Sequence, residues 1–313
     1  MDVTVVVCTY NRCESLLKTL ESLASSRVPE PTTWEVLVVD NNSSDQTAET
    51  VKGFCERYPN RFRYHFEARP GKSYAMNAGI QESRGSILAL VDDDATVAPS
   101  WLERILAPFS DPVWSAAGGP VMLQWSCPRP RWLPSDRFAL APLAGFDPGR
   151  EAGEIQELFG TNMVCRRSLF EKYGGFRTDL GPSANPKTPR VNDDSEFIRR
   201  ILNGGERIFY EPSAVVFHPV PANRVQKAHF LAWWFDKGRA DVIMLGVPPD
   251  AKWLLCGIPM RFFRRLINWT VRWMTAIGPA KRFSNRLKVQ WLAGMIFECF
   301  QSNSAALPKE RMA

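Results

Sequence analysis

The apolar run Ile87, Leu88, Ala89, Leu90, Val91 ends directly in three aspartates, Asp92, Asp93 and Asp94. An uninterrupted run of that length, closed by polar residues, reads as a buried strand. Carboxylates clustered at its end lie at the carboxyl edge of a sheet, where open α/β folds keep their ligands, and hard oxygen donors there suit a divalent cation. A polar turn is the plainer alternative, because aspartate is common in turns and helix caps.

The preceding residues alternate strand and helix signals. Residues 3–8 are a short β-branched run, 12–24 carry Leu16, Leu17, Leu20 and Leu23 at helical spacing, and 34–39 form another buried strand that ends in Asp40. Residues 44–58 read as a helix with Asp45 near its start and Thr47, Val51, Phe54 and Cys55 inward, 63–66 as a third strand, and 73–83 as the helix leading to the aspartates. This predicts a mostly parallel, Rossmann-like α/β sheet flanked by helices, each strand end delivering polar residues to one edge.

From 110 to 154 the pattern loosens. Pro128, Pro130 and Pro134 exclude a central strand or helix interior, and Trp114, Trp125 and Trp132 lie around them. A short strand near 116–124 followed by a long loop is expected, the loop either covering an acceptor or disordered. Regular structure returns at 157–166, followed by a short helix at 168–173 closed by Gly174 and Gly175, a helix at 195–202 and an apolar strand at 214–217.

Charge separates the chain into two parts. Residues 1–217 hold 24 Lys and Arg against 28 Asp and Glu, a balance of −4, whereas 218–313 hold 15 against 5, a balance of +10, with six of the eleven Trp. Seven cysteines at 8, 13, 55, 127, 165, 256 and 299 show neither metal-ligand spacing nor a disulfide framework, which fits a reducing cytosol. No secretory signal is expected at the N-terminus, and the best candidate for a spanning helix, 253–277, is interrupted by Arg261, Arg264, Arg265 and Arg272.

Several blocks in order carry a resemblance: VVVCTYNR at 5–12, VVDNNSSDQT at 38–47, GKSYAMNAGI at 71–80, VDDD at 91–94, GTNM at 160–163, NDDSEF at 192–197 and HPVPANR at 218–224. Together they resemble the family 2 glycosyltransferases of the GT-A fold, inverting enzymes that use nucleotide-diphosphate sugars. The resemblance covers residues 3 to about 225 and implies a catalytic domain over 1–225; beyond Arg224 it becomes loose, and the residues themselves read as a helical, basic, Trp-rich extension over 226–313, a candidate for membrane association. It places Thr9, Tyr10, Asn11 and Arg12 where the family cradles the nucleotide base, and makes Asp40 the carboxylate that binds uracil or ribose. A helix or turn cap is the alternative for Asp40. Lys72 and the amides of the helix opened by Gly71 can meet phosphate, although Gly-Lys-Ser here lacks the upstream Gly of a P-loop, and Asn77 belongs to the same donor-binding block.

By the same resemblance Asp92 faces the ribose, Asp93 lines the donor site, and Asp94 coordinates Mn²⁺ or Mg²⁺ between the two phosphates, with His218 completing the metal site after its strand. Asp194, at a helix start that favours the carboxylate form, matches the family's base, while Asp193 stands where relatives more often have Glu. Gly160 permits close backbone approach under the donor sugar, and Asn162 can bond sugar hydroxyls; a plain strand bend is the alternative.

In 261–277 the residues Phe262, Phe263, Leu266, Ile267, Val271, Trp273, Met274 and Ile277 recur at helical spacing opposite arginines, and 286–300 is similar. This is the pattern of a helix lying on an anionic membrane surface, or of a basic helical pair packed on protein. No nucleic-acid module accompanies the charge. Peripheral attachment to the inner membrane face would imply a saccharide or lipid-linked acceptor, and the absence of QxxRW near 224–234 favours transfer of a single sugar. A catalytically silent nucleotide-sugar-binding protein is the competing reading. A sugar-phosphate nucleotidyltransferase is less consistent, because it needs a Gly-rich basic loop where Thr9, Tyr10, Asn11 and Arg12 stand.

Overall fold

Short β-branched runs and leucine-faced helices alternate along the first hundred residues of the computed structural model, which describes residues 1–183, 185, 188–246, 254–255 and 257–306. The alternation builds β1 (Val3–Thr9), α1 (Cys13–Ala24), β2 (Trp34–Asp40), α2 (Thr47–Arg57), β3 (Phe62–Phe66), α3 (Lys72–Glu82) and β4 (Ile87–Asp92). The four strands are parallel in the order β3-β2-β1-β4, and the interiors of β1, β2 and β4 are buried, as their unbroken apolar runs require. Leu16, Leu20 and Leu23 of α1 enter the core on one face of the sheet, whereas Leu17 is exposed on the outer side of that helix.

Beyond β4 come β5 (Thr96–Val97), α4 (Trp101–Leu106), β6 (Trp114–Gly118) and β7 (Val121–Trp125). The single strand expected near 116–124 is thus two strands in different sheets. Pro120, which has no N–H to give, separates them, and its carbonyl accepts from Val216 at 3.0 Å. Next are α5 (Arg137–Leu140), β8 (Gly153–Ile155), β9 (Met163–Arg166), α6 (Arg167–Tyr173), α7 (Asp193–Asn203), β10 (Arg207–Tyr210) and β11 (Val216–Val220). The main sheet continues from β4 through β9, β6, β10 and β8, with β9 antiparallel to both neighbours. A smaller sheet runs β5-β11-β7, with Val216 opposite Val97 and Phe217 opposite Thr96. His218 therefore lies inside β11, not after it as expected, because pairing with the smaller sheet carries the strand past Phe217.

The helices α8 (Lys227–Leu245), α9 (Met260–Thr275) and α10 (Pro279–Ala306), with the small hairpin β12 (Leu254–Leu255) and β13 (Ile258–Pro259), complete the chain. Trp253 and Cys256, named among the sequence expectations, lie outside the described residues. The chain divides into two units, the first Met1–Gln124, Leu143–Pro186 and Asp193–Val220, the second Trp125–Pro142, Lys187–Asn192 and Pro221–Ala313. The Trp-rich loop thus belongs to the second unit, where Trp132 packs edge-on against Phe230 and Phe283 and Phe138 stacks on Trp234 at 3.7 Å. In the same unit Gly238 of α8 and Gly294 of α10 let the two backbones touch: a Cβ at Gly238 would stand 2.0 Å from the Trp291 carbonyl oxygen, and one at Gly294 2.1 Å from that of Phe235. No described helix is long and apolar enough to cross a membrane.

Candidate active site

Sheet register brings the strand-end residues together in the first unit. Thr9 at the end of β1 pairs with Asp40 at the end of β2, and Cys8 pairs with Asp92 at the end of β4. The order β3-β2-β1-β4 reverses direction at β1, and such a switch point opens a crevice at the carboxyl edge.

On the β2 side, Asp40 is buried. Its Oδ1 accepts from the Ser43 amide at 2.9 Å and its Oδ2 from the Tyr64 hydroxyl at 2.8 Å. Burial, together with this carboxylate, pushes the Tyr64 phenol up to about 12. Asn11 sits at φ 52° and ties two loops, its Oδ1 accepting from the Ser44 amide and its own amide donating to Ser43 Oγ. Tyr10 is exposed beside it.

On the β4 side, each aspartate has a different neighbour. Asp92 Oδ1 is 2.6 Å from Lys72 Nζ, and its Oδ2 accepts from the Thr161 hydroxyl at 2.5 Å. Burial works to raise the Asp92 carboxyl, but the Lys72 ammonium and these hydrogen bonds outweigh it and hold the pKa below the usual value. Lys72 is correspondingly held protonated, the desolvation that opposes its charge being outweighed by Asp92 and Asp193. Arg12 bridges the other two aspartates, at 2.9 Å from Asp93 Oδ1 and 3.0 Å from Asp94 Oδ2. Asp93 is pushed up to about 6 by burial, against the pull of Arg12. Asp94 Oδ1 lies 3.3 Å from Nε2 of buried His218, which β11 delivers from the smaller sheet.

The start of α7 closes the constellation. Asp194 Oδ2 accepts from the Gly160 amide at 2.8 Å and its Oδ1 from the Ser195 amide at 2.6 Å. Gly160 is held to its size by this contact, since a Cβ there would stand 3.1 Å from Asp194 Oδ2. Asp193 is buried, and desolvation pushes it up to about 6, assisted by the Asp194 charge and opposed by Lys72.

Two expected donor-binding side chains are spent elsewhere. Asn162 is fully buried, its Oδ1 accepting from Trp101 Nε1 at 3.0 Å and its Nδ2 donating to the Pro120 and Ala214 carbonyls. Its amide joins the two sheets, because a buried amide of this kind must be satisfied internally. Asn77 is likewise committed to the backbone of Phe176, at 2.9 Å and 2.7 Å. Three further residues position the site, of which the sequence singled out only Asp45, as a residue near a helix start. Thr161 holds Asp92; Asn41 accepts from the Gly71 amide at 2.7 Å and donates to the Arg69 carbonyl, seating the start of α3; Asp45 accepts from the Cys13 amide at 3.0 Å and from Thr47. Thr161 and Asn41 carried no local signal, whereas Asp45 had one, an aspartate two residues before a threonine at a helix start.

Among the described residues no three His, Cys, Asp or Glu side chains converge on one point as a metal cage. Asp94 and His218 stand side by side as one carboxylate and one imidazole, a pair that suits a divalent ion whose other ligands come from substrate phosphates.

The fold and this strand-end constellation define a GT-A glycosyltransferase. The chain belongs to glycosyltransferase family 2: it matches the family described as Glycosyl transferase family 2 over residues 4–174. It is 32% identical over 234 residues to the succinoglycan biosynthesis protein ExoM of Rhizobium meliloti (strain 1021), covering 74% of this chain and 70% of that protein. It is 29% identical over 254 residues to the glucosyl-dolichyl phosphate glucuronosyltransferase of Haloferax volcanii, covering 80% of each. Among solved structures, the mannosyltransferase PcManGT from Pyrobaculum calidifontis, in complex with GDP-Man and Mn²⁺, aligns with a TM-score of 0.55 at 21% identity over 98% of this chain and 76% of that one. Residues 1–349 of S. aureus TarS, in complex with UDP-GlcNAc, align with a TM-score of 0.53 at 17% identity over 93% and 90% of the two chains.

Proposed function

We propose that this enzyme moves a single sugar from a nucleoside-diphosphate donor, UDP favoured, to a hydroxyl of a lipid-linked or cell-envelope saccharide, with inversion at the anomeric carbon. The observation that carries the reading is Asp194: a carboxylate pinned by two backbone amides at a helix start, in the same constellation as Lys72 and the Asp92 to Asp94 cluster.

In the proposed reaction the acceptor oxygen attacks C1 of the sugar from the face opposite the phosphate. Its proton passes to a carboxylate oxygen of Asp194, the bond from C1 to the phosphate oxygen breaks, and the nucleoside diphosphate leaves with that electron pair. Asp40, Thr9 and Asn11 orient the base and ribose, and Lys72 holds Asp92 toward the donor through their ion pair. Asp94 and His218 would hold Mn²⁺ or Mg²⁺, which as a Lewis acid stabilises charge on the leaving diphosphate. The mixed oxygen and nitrogen pair favours manganese.

Similarity to a succinoglycan biosynthesis protein and to a transferase named for glucosyl-dolichyl phosphate supports a saccharide or lipid-linked acceptor. Nucleotide sugars bound by the two structural neighbours support the donor class.

The test is release of nucleoside diphosphate from UDP-, GDP- and dTDP-sugars with manganese, magnesium or chelator, with and without lipid extract. Asp194→Asn is expected to lower turnover by about 10²- to 10⁴-fold while donor affinity is retained. Unchanged turnover would remove Asp194 from the mechanism. Measurable nucleotide binding without release under any condition would leave the silent binding protein.

A further inference from the structure

Helix α9 has an apolar face wider than the second unit covers. Along one side Phe262 is buried against Val242, Ile258 and Cys299, while Trp269 and Trp273 lie under Lys288 and Arg286 of α10. At 100° per residue, Ile267, Val271 and Met274 form a separate row at i, i+4 and i+7. They are 65%, 53% and 69% exposed, and Ile277 just past the helix end is 92% exposed. Met260 extends the row one heptad toward the start of the helix, and exposed Arg264, Arg265 and Arg272 occupy the next sector around it.

The charge along this stretch of the chain is of one sign. Residues 260–297 contain eight Lys and Arg, at 261, 264, 265, 272, 281, 282, 286 and 288, and no Asp or Glu. Beside Ile277 opens a cavity of about 680 Å³ whose lining includes Arg272, Lys281 and Lys288 against one carboxylate, Asp136, wide enough for a phosphate-bearing headgroup. A second copy is a poor occupant, since a symmetric contact through this face would set Arg264, Arg265 and Arg272 of one copy against those of the other. Nucleic acid would meet the charge but not the apolar row. An anionic bilayer meets both: apolar side chains enter the acyl boundary while arginines reach the phosphates around it.

We propose that the second unit docks on an anionic phospholipid bilayer through α9, which lies in the plane of the interface with Ile267, Val271, Met274 and Ile277 inserted and its arginines on the headgroups. The proposal extends the reading of a lipid-linked acceptor and needs no turnover, so the two can fail separately.

The experiment is co-sedimentation of the full chain with vesicles of phosphatidylglycerol and phosphatidylcholine, compared with phosphatidylcholine alone. Binding to the anionic vesicles is expected, weakening as salt rises. The double variant Ile267→Ser, Met274→Ser should weaken it at least about tenfold, through loss of inserted apolar area. Arg264→Gln with Arg265→Gln should weaken it about 30-fold, from roughly 1 kcal/mol per charge. Asp194→Asn should sediment like the native protein, whatever its turnover. Equal binding to neutral vesicles, indifference to both double variants, or a solution dimer that the Ile267→Ser, Met274→Ser variant dissociates would overturn the proposal.

Discussion

Asp193 and Asp194 are neighbours in sequence with opposite surroundings. Asp194 has two amide donors, whereas Asp193 is buried and its pKa rises from 3.8 to about 6. Because the folded value lies above the unfolded one, the folded state binds the extra proton between pH 3.8 and about 6. Stability therefore falls as pH rises through that window, and the full cost, about 3 kcal/mol by order of magnitude, is present above it. Asp193→Asn should raise the urea midpoint at pH 8 and leave it unchanged at pH 3, where the Asp193 carboxyl is protonated in both the folded and the unfolded chain; equal effects at both pH values would exclude a charge-burial cost. Lys72 offers the reverse case. Its ammonium stands 2.6 Å from Asp92, with about a quarter of each side chain exposed. Lys72→Met should cost about 2 kcal/mol at pH 7, between the values for surface and buried pairs, because Asp92 is left charged and poorly solvated. Asp92 is held below the usual carboxylate pKa, so the pair's contribution is complete above the unfolded value and is lost as acid protonates Asp92. Urea titrations of the variant and native protein at pH 7 and at low pH should therefore converge at low pH.

At the scale of elements, the glycines where α8 crosses α10 limit substitution. The modest Cβ of Gly238→Ala or Gly294→Ala would meet backbone oxygen at 2.0 or 2.1 Å, a contact no side-chain rotamer can relieve. Each is expected to cost about 1–3 kcal/mol by overpacking, read as a lower thermal midpoint of the transition followed by the Trp-rich second unit. Exposed Gly205→Ala, with nothing within 4 Å of its Cβ but φ at +84°, is the comparison that separates packing from backbone strain. The same elements show what the sequence made legible. β1, β2 and β4 could be read because buried parallel strands are unbroken apolar runs, and register then carried Thr9, Asp40 and Asp92 to one edge. α8 could not, since its apolar residues are spread around the helix rather than gathered in a stripe, and Asp236, Lys237, Arg239 and Asp241 interrupt them. All four of those charges are paired inside the unit, Asp241 with Lys237 and Trp291, Arg239 with Glu298 and Asp236. Asn162 illustrates a different limit. A polar residue in a family motif reads as a ligand contact, yet its partners Trp101, Pro120 and Ala214 come from segments that no local spacing brings together.

Over the whole molecule, the balance of −4 in residues 1–217 and +10 in 218–313 separates two kinds of chemistry. The acidic part holds the aspartates suited to a cation and a nucleotide sugar, and the basic part holds the arginine row of α9. Nucleotide and metal should therefore act on the two units unequally. UDP with Mn²⁺ should slow backbone hydrogen exchange where β1, β2 and β4 end, at Thr9 to Arg12, Asp40 to Asp45 and Asp92 to Ala95, and in β11 around His218. Exchange within α9 should stay unchanged, because its buried side packs on α10 and on the core of its own unit. By linkage, ligand at about 100 times its dissociation constant would add roughly 2.7 kcal/mol to the stability of whatever cooperative unit binds it. The metal's part is separable: His218→Ala should lower the protection given by UDP with Mn²⁺ and leave the smaller protection given by UDP with chelator. Equal protection by UDP with and without the ion would remove Asp94 and His218 from the donor site, while protection spread evenly into α9 would mean that the two units respond as one cooperative body.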